Sequence, residues 1–343
     1  MNEKSKEWAI PMAVLKTNAS KIDALKTRRS WRLSNVMMGI IGACSVALVS
    51  CGGGGESSES GDLPTVVTTT TILTDLTEEV AGEEVEVSGI LKPGDDPHVY
   101  EPVPQDTVTL EGADLIIYNG YNLEPALIRM IEASGVEAKV PVAEAVPPLQ
   151  MDYDGQQEPD PHVWGNVKNA IAMVEKIRDV LSEEFPEDAA VFQANAERAI
   201  AVLEKLDIWV AEQIATIPEN QRKLVTTHDA FQYYAQAYEL PVLGTLIGIS
   251  TEEQPSAQTV KRLADLIRNA KVPSIFAETT INPALITTVA EEAGVELAPN
   301  ELYADAIGEP GSRGDSYVNM IIANTETVVM ALGGEFTPFN PDN

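Results

Sequence analysis

The chain has 343 residues, of which 53 are acidic and 23 are basic, so its formal net charge at pH 7 is −30. Residues 1–51 carry 8 of the basic and 3 of the acidic residues, which leaves 15 and 50 after Cys51 and a net charge of −35. Because nucleic acids are themselves densely negative, this surface excludes them as partners. The remaining length, roughly 280 residues, suffices for two folded lobes.

The N-terminal segment has the layout of a lipoprotein signal peptide. A basic region at residues 26–32 precedes an apolar run at residues 36–49, and Leu48-Val49-Ser50-Cys51 ends it. The apolar run is too short for a stable membrane-spanning helix. We therefore predict a signal peptide over residues 1–51, with a lipid on Cys51 after cleavage. An ordinary cleaved signal with an incidental cysteine is the alternative.

Residues 52–64 are rich in Gly, Ser and Glu and predict a flexible tether. We expect an exported domain, anchored to the membrane through its lipid. Both the periplasmic side and the outer face of the cell membrane are compatible with such an anchor.

The segment that follows alternates between strand and helix patterns. Strands are predicted at residues 65–70, 85–91, 115–118 and 137–142, and helices at 72–81, 105–111 and 124–134. Apolar strands that alternate with helices imply a parallel sheet covered on both faces. In such sheets, ligands bind beyond the carboxyl ends of the strands.

A polar stretch and two long helices separate this segment from a second alternation. Residues 147–161 are rich in Pro, Asp and Gln and predict an acidic loop, and helices are predicted at 166–185 and 187–217. Further strands are predicted at 223–226, 241–247, 274–277 and 295–298, and further helices at 230–238, 257–270, 283–293 and 315–332. We predict an α/β fold of two lobes, residues 65–186 and 218–343, each a mainly parallel sheet flanked by helices. One long rigid helix, residues 187–217, joins the lobes.

Histidine is scarce, and its three positions have similar contexts. His98 lies in the first motif, residues 96–100 (Asp-Pro-His-Val-Tyr), and His162 lies in the second motif, residues 160–164 (Asp-Pro-His-Val-Trp). The third, His228, follows a strand-like run in Thr-Thr-His-Asp. Imidazole is a common metal ligand, and a site that closes around an ion needs about four N or O donors. The three histidines and one carboxylate therefore predict a metal site.

Several segments together resemble the zinc/manganese substrate-binding lipoproteins of ABC transporters. These are the two Asp-Pro-His motifs, Thr227-His228-Asp229-Ala230-Phe231, Gly248-Ile249-Ser250-Thr251 with Glu253 and Pro255-Ser256-Ala257, Phe276-Ala277-Glu278-Thr279, and Ala304-Asp305-Ala306-Ile307-Gly308. The resemblance covers about residues 65–333. It implies two α/β lobes joined by a rigid helix, with a single divalent metal ion bound between them.

The resemblance also implies a ligand set. His98 and His162 match the ligands of the N-terminal lobe, and His228 and Asp305 match those of the C-terminal lobe. Glu278 matches a carboxylate near the family's site, so we place it behind a ligand or as an alternative ligand. Asp229 is interpreted as a helix cap.

The choice of metal depends on opposing features. Three imidazoles and one carboxylate favour Zn²⁺, whereas Mn²⁺ prefers more oxygen donors and binds more weakly to such a set. Manganese-dedicated relatives often have Glu where this chain has His228, yet the His-rich loop common in zinc-dedicated relatives is missing between the two motifs. We expect one divalent ion per chain, with Zn²⁺ favoured over Mn²⁺. The expected partners are an ABC transporter permease and its ATPase, and the chain itself is expected to be a monomer.

Two other classes of function were considered. A three-histidine zinc site can activate water in a hydrolase or lyase, but that requires an open coordination position and a nearby base. Here Asp305 would fill the fourth position and no nucleophile accompanies the histidines, so we expect a protein that is not an enzyme. A cell-adhesion role would suit a lipid-anchored acidic protein, but it leaves the repeated motif unexplained.

Overall fold

The structure is a computed structural model that describes residues 63–153 and 156–341. The predicted signal peptide, Cys51 and all but the last two residues of the predicted tether lie outside the described residues. Among those that are described, no helix combines the length and the apolar character needed to cross a bilayer.

The N-terminal half, residues 65–186, is built on a four-stranded parallel sheet with the order β2-β1-β3-β4. Its strands are β1 Thr65–Thr68, β2 Glu86–Gly89, β3 Leu115–Tyr118 and β4 Ala138–Pro141, and its first helices are α1 Thr71–Ala81, α2 Pro104–Glu111 and α3 Pro125–Ala133. Successive residues of the central strands enter different apolar clusters: Val66 and Ile117 pack in one, Val67 and Ile116 in another. Because side chains alternate across a strand, both faces of the sheet are covered, as predicted.

The ends of α1 follow from local side-chain chemistry. Thr70 Oγ1 accepts a hydrogen bond from the backbone N of Leu73 at 3.2 Å and so caps the first turn. Gly82 follows the helix with a φ of 64°, which glycine adopts without strain. A Cβ at Gly82 would lie 2.9 Å from the amide nitrogen of Asn195. This glycine therefore permits a close approach between α1 and the helix that contains Asn195, α5 Ala189–Ala215.

The segment between the first sheet and the long helices differs from the prediction of a loop. It forms an antiparallel hairpin of β5 Gln150–Tyr153 and β6 Gln156–Pro159. Strand β5 alternates polar and apolar residues over only four positions, and β6 has no such alternation. The sequence signal for this pairing was therefore weak.

Two long helices lie between the sheets in the sequence. They are α4 Val167–Glu184 and α5 Ala189–Ala215, and the 27 residues of α5 correspond to about 40 Å. Helix α5 contacts α4 and α1 and also α9, Tyr317–Ala331, at the other end of the chain. One apolar cluster includes residues of α1, α4, α5 and α9. The interpretation of residues 187–217 as a rigid connector, and the lobe boundaries that depend on it, remain predictions.

The C-terminal half, residues 218–341, repeats the strand order of the first sheet. Its strands are β7 Leu224–Thr226, β8 Val242–Thr245, β9 Ser274–Ile275 and β10 Glu296–Leu297, and its other helices are α6 Gln232–Ala237, α7 Ala257–Ala270 and α8 Ala284–Ala293. Strands β7 and β8 pair in parallel, as do β9 and β10, and the N of Phe276 donates to the carbonyl of Val225 at 3.0 Å. In the resulting order, β8-β7-β9-β10, the first strand of this half, β7, lies between the second and the third. Strand β1 has the same position in the first sheet.

Candidate metal site

The four predicted ligands all follow strands. His98 lies on the connection from β2 to α2, His162 follows β6, and His228 comes two residues after β7. Asp305 comes three residues after Leu302, which forms a parallel bridge with Glu278. The strands of a parallel sheet end at the same edge, which explains the positions of His98 and His228, whereas His162 reaches the site from the end of the antiparallel hairpin.

The four side chains form one compact cluster. Their donor atoms lie within 4.8 Å of one another. Nε2 of His98 is 3.2 Å from Nε2 of His162, and the Asp305 oxygens lie 3.5 Å from Nε2 of His162 and 3.2 Å from Nε2 of His228. His98 is 5% exposed, Asp305 is 1% exposed and the other two are 0% exposed. A cluster of three imidazoles and one carboxylate has the donor number and chemistry of a closed metal site.

Several donor atoms of the cluster lack hydrogen-bond partners. Both carboxylate oxygens of Asp305 and Nε2 of His228 are buried and have no hydrogen-bond partner among the described residues. Asp305 Oδ2 and His228 Nε2 lie 3.2 Å apart but not in hydrogen-bond geometry. A buried polar atom without a partner costs free energy, so such atoms point to a ligand that would satisfy them. A cation between the rings would contact all of them.

The electrostatics of the cluster favour a positive charge at its centre. Burial lowers the pKa of His98 to about 3, so this imidazole is neutral and free to coordinate. Burial would by itself lower the pKa of His228, but the Glu278 and Asp305 carboxylates raise it well above its usual value. For Asp305, burial acts to raise the pKa, yet the imidazoles hold it below its usual range. Asp305 therefore stays ionised and attracts a cation.

Glu278 supports His228 from behind the cluster. Its Oε1 accepts from the backbone N of Thr227 at 2.8 Å and of His228 at 2.9 Å, and its Oε2 contacts Nδ1 of His228. Glu278 is 0% exposed and does not belong to the four-residue cluster. This arrangement fixes the ring so that Nε2 faces the other donors.

Asp160 supports His162 in a similar way, a role that the sequence analysis did not assign. Asp160 Oδ1 accepts from the backbone N of His162 at 3.0 Å and lies 2.7 Å from its Nδ1. The signal that could have revealed it is the aspartate two residues before His98 and His162, because aspartate often accepts a hydrogen bond from the backbone N–H two residues further on.

The interpretation of Asp229 as a helix cap is wrong. Helix α6 begins at Gln232, and its N-cap residue, Phe231, provides no capping side chain. Asp229 Oδ1 instead accepts from the side-chain amide of Gln232 at 2.6 Å. Residues 230 and 231 are not helical, so the helix starts too late for Asp229 to cap it.

Comparisons with known proteins agree with this fold. Residues 66–331 match the family of zinc-uptake complex component A, periplasmic. The chain therefore belongs to this family, which confirms the resemblance to substrate-binding lipoproteins of metal ABC transporters.

Individual relatives match over nearly their whole length. The manganese-binding lipoprotein MntA of Halalkalibacterium halodurans is 36% identical over 84% of this chain and 95% of its own. The manganese ABC transporter substrate-binding lipoprotein PsaA of Streptococcus mitis is 32% identical, with the same coverage of each chain. The periplasmic zinc-binding protein TroA of Treponema pallidum superposes with a TM-score of 0.75, at 33% identity, over 79% of this chain and 99% of its own.

Proposed function

We propose that this chain binds one divalent transition metal ion through His98, His162, His228 and Asp305 and delivers it to the permease of an ABC transporter. The observation that carries the proposal is the cluster itself, four buried donor groups within 4.8 Å of one another. The match to metal-binding lipoproteins of ABC transporters supports the same conclusion.

The origin of the donors suggests how binding is communicated. His98 and His162 belong to the N-terminal half, and His228 and Asp305 belong to the C-terminal half. An ion bound by all four joins the two halves, so the loaded chain differs from the empty one in how firmly the halves are held together. A permease that contacts both halves can then distinguish the loaded form, and protonation or strain of the ligand set allows release.

Zinc is the ion that we propose to be bound more tightly. A set of three nitrogens and one carboxylate binds Zn²⁺ more strongly than Mn²⁺ according to the Irving–Williams order. Manganese is the second candidate for the transported ion, because MntA and PsaA, both named for manganese, match this chain over most of its length. Affinity and transported ion can differ, since metal supply in the cell also determines occupancy.

We further propose that the chain is a monomer held at the outer face of the membrane by a lipid on Cys51, with a permease and an ATPase as its transport partners. The relatives MntA and PsaA are named lipoproteins, and PsaA is named as part of an ABC transporter. Mass spectrometry of the membrane-extracted protein tests the anchor. It should give the mass of a chain that begins at Cys51 and carries acyl groups, and an unmodified N-terminus would contradict it.

The metal site is tested by titration of the segment Ser60–Asn343, a single compact unit. After chelator treatment, Zn²⁺ is added and followed by calorimetry for the wild type, Asp305→Asn and Glu301→Gln. The wild type and Glu301→Gln should bind one ion tightly, because Glu301 is exposed. Asp305→Asn should bind at least about tenfold more weakly because it loses a charged ligand. Equal binding by all three proteins, or none by the wild type, would refute the proposed site.

Metal preference is tested by His228→Glu. This variant replaces a nitrogen donor with oxygen donors, which Mn²⁺ prefers. The wild type should retain Zn²⁺ in competition with Mn²⁺, and the variant should shift toward Mn²⁺. Preferential Mn²⁺ binding by the wild type would make zinc the wrong choice while leaving the site itself intact.

A further inference from the structure

The two Asp-Pro-His motifs are attached to the C-terminal half in different ways. Three hydrogen bonds join the second motif to that half: Tyr233 Oη donates to the carbonyl of Asp160 at 2.8 Å, Trp164 Nε1 donates to the carbonyl of Ala304 at 3.0 Å, and Tyr317 Oη donates to the carbonyl of Trp164 at 2.7 Å. His162 therefore sits in a segment that is fixed to both halves.

The first motif has a single such bond. Over the described part of the chain, the one hydrogen bond that joins residues 92–103 to the C-terminal half runs from Thr251 Oγ1 to Asp96 Oδ2, at 2.6 Å. The other carboxylate oxygen of Asp96 accepts from the backbone N of His98 at 3.0 Å. Asp96 thus connects the turn that carries His98 to Thr251, 155 residues further along the chain.

The Thr251 loop, residues 248–253, is in turn attached beside another predicted ligand. The carbonyl of Gly248 accepts from the backbone N of Asp229 at 3.1 Å, next to His228. A Cβ at Gly248 would lie 2.5 Å from Oε1 of Glu253, so the loop folds back until the Glu253 carboxylate lies against Gly248. The Thr251 loop therefore links the segments that carry His98 and His228.

We propose that Thr251 and Asp96 are positioning residues that latch His98 into the site, so that His98 is the ligand whose departure releases the ion. The inference rests on the proposed function and adds which ligand leaves the ion first. The turn of His98 is buried at Pro97 and His98, but among the described residues one hydroxyl–carboxylate hydrogen bond ties it to the C-terminal half, whereas three tie the segment of His162. The exposure of the neighbouring valines supports this difference between the motifs. Val99, after His98, is 45% exposed, and Val163, after His162, is fully buried.

The test measures the rate of Zn²⁺ release from the segment Ser60–Asn343 into excess EDTA by stopped flow. Thr251→Val removes the hydroxyl and should accelerate release about tenfold, since a hydrogen bond to a charged group is lost. Thr251→Ser keeps a hydroxyl and should release at nearly the wild-type rate. Thr288→Val is the matched control, because Thr288 is exposed on α8 and its hydroxyl bonds only the carbonyl of Ala284 within the helix.

A His98→Ala background shows whether the latch acts through His98. If it does, Thr251→Val no longer accelerates release once His98 is absent. Thr251→Ala makes the same comparison if the valine variant does not fold. Unchanged release from a Thr251→Val protein that binds one Zn²⁺ would overturn the latch, as would equal acceleration with and without His98. A wild type that binds no Zn²⁺ would refute the proposed function instead.

Discussion

The second Asp-Pro-His motif is buried at all five of its residues, whereas the first is buried at Pro97 and His98 but exposed at Val99. In both motifs the aspartate accepts from the backbone N of the histidine at 3.0 Å. Asp160 also contacts the ring of its own histidine, but Asp96 bonds Thr251 instead. The same turn thus provides one histidine whose ring is held by the aspartate of its own motif and one whose aspartate is bonded to a distant threonine instead. Local sequence fixes the turn, and tertiary structure decides its role.

The largest effect on Zn²⁺ affinity is expected at the aspartate of the second motif. Asp160→Ala should lower Zn²⁺ affinity about 100-fold, because His162 loses the carboxylate that orients its ring, and Asp96→Ala should lower it about tenfold. Competition with a chromogenic chelator measures both. Equal losses would mean that the two motifs hold their histidines equally firmly.

A buried acid under the second motif should make stability depend on pH. Burial raises the pKa of Glu124 to about 7, although the backbone N of Asn119 and the hydroxyl of Thr69 donate to its Oε1. Asn119 also donates to the carbonyl of Pro161, beside His162. Glu124 is thus connected through Asn119 to the turn that carries His162.

The sign of this dependence follows from proton binding. The folded state holds a proton on Glu124 that the unfolded state releases near its ordinary pKa, so stability falls as pH rises from about 4.5 to 7. Glu124→Gln removes this contribution. Relative to the variant, the metal-free wild type should lose about 2–3 kcal/mol of unfolding free energy between pH 5 and 8. Urea unfolding at both pH values measures the difference, and parallel behaviour of the two proteins would show that Glu124 is ionised throughout.

The valines that follow the two histidines provide a matched pair. Val163 is fully buried and Val99 is 45% exposed. Val163→Ala should cost about 2 kcal/mol of stability because it removes buried methyl groups, and Val99→Ala should change it by less than about 0.5 kcal/mol. Chemical denaturation of the metal-free proteins measures both. Similar losses of stability at the two positions would contradict the burial of Val163 and the exposure of Val99.

The smallest effect is expected for a single indole hydrogen bond. Trp164→Phe loses the bond from Nε1 to the carbonyl of Ala304, next to Asp305, and Trp209→Phe loses a bond to the carbonyl of Thr337 in the C-terminal tail. Each should cost about 1 kcal/mol of stability. Only Trp164→Phe should also weaken Zn²⁺ binding, by a few-fold. A comparable loss of affinity in Trp209→Phe would indicate a general effect of destabilisation.

The alternation of elements was largely predictable because it depends on local patterns. Helix α1 and the glycine after it, the buried run of β3 and the length of α5 all have direct sequence signals. The hairpin of β5 and β6 was missed because β5 alternates over only four residues and β6 does not alternate. The cap assigned to Asp229 was wrong because α6 starts only at Gln232.

The site was predictable in its donors and, through the resemblance, in the supporting position of Glu278, but its other supports were not predicted. Three scarce histidines and the family resemblance indicated His98, His162, His228 and Asp305, which the structure brings together. Other contacts around the site join residues far apart in the chain, such as Thr251 with Asp96 or Glu124 with Thr69. No local pattern indicates such pairs, because they depend on how distant segments pack.

The central claim is that these four side chains coordinate one ion together. The most direct measurement is zinc K-edge X-ray absorption of the segment Ser60–Asn343 loaded with one equivalent of Zn²⁺. We predict a shell of about four N or O donors at about 2.0–2.1 Å, with the multiple-scattering signature of three imidazoles. His162→Ala should reduce this signature to two imidazoles. Fewer than three imidazoles in the wild type, or an unchanged spectrum in the variant, would contradict the account.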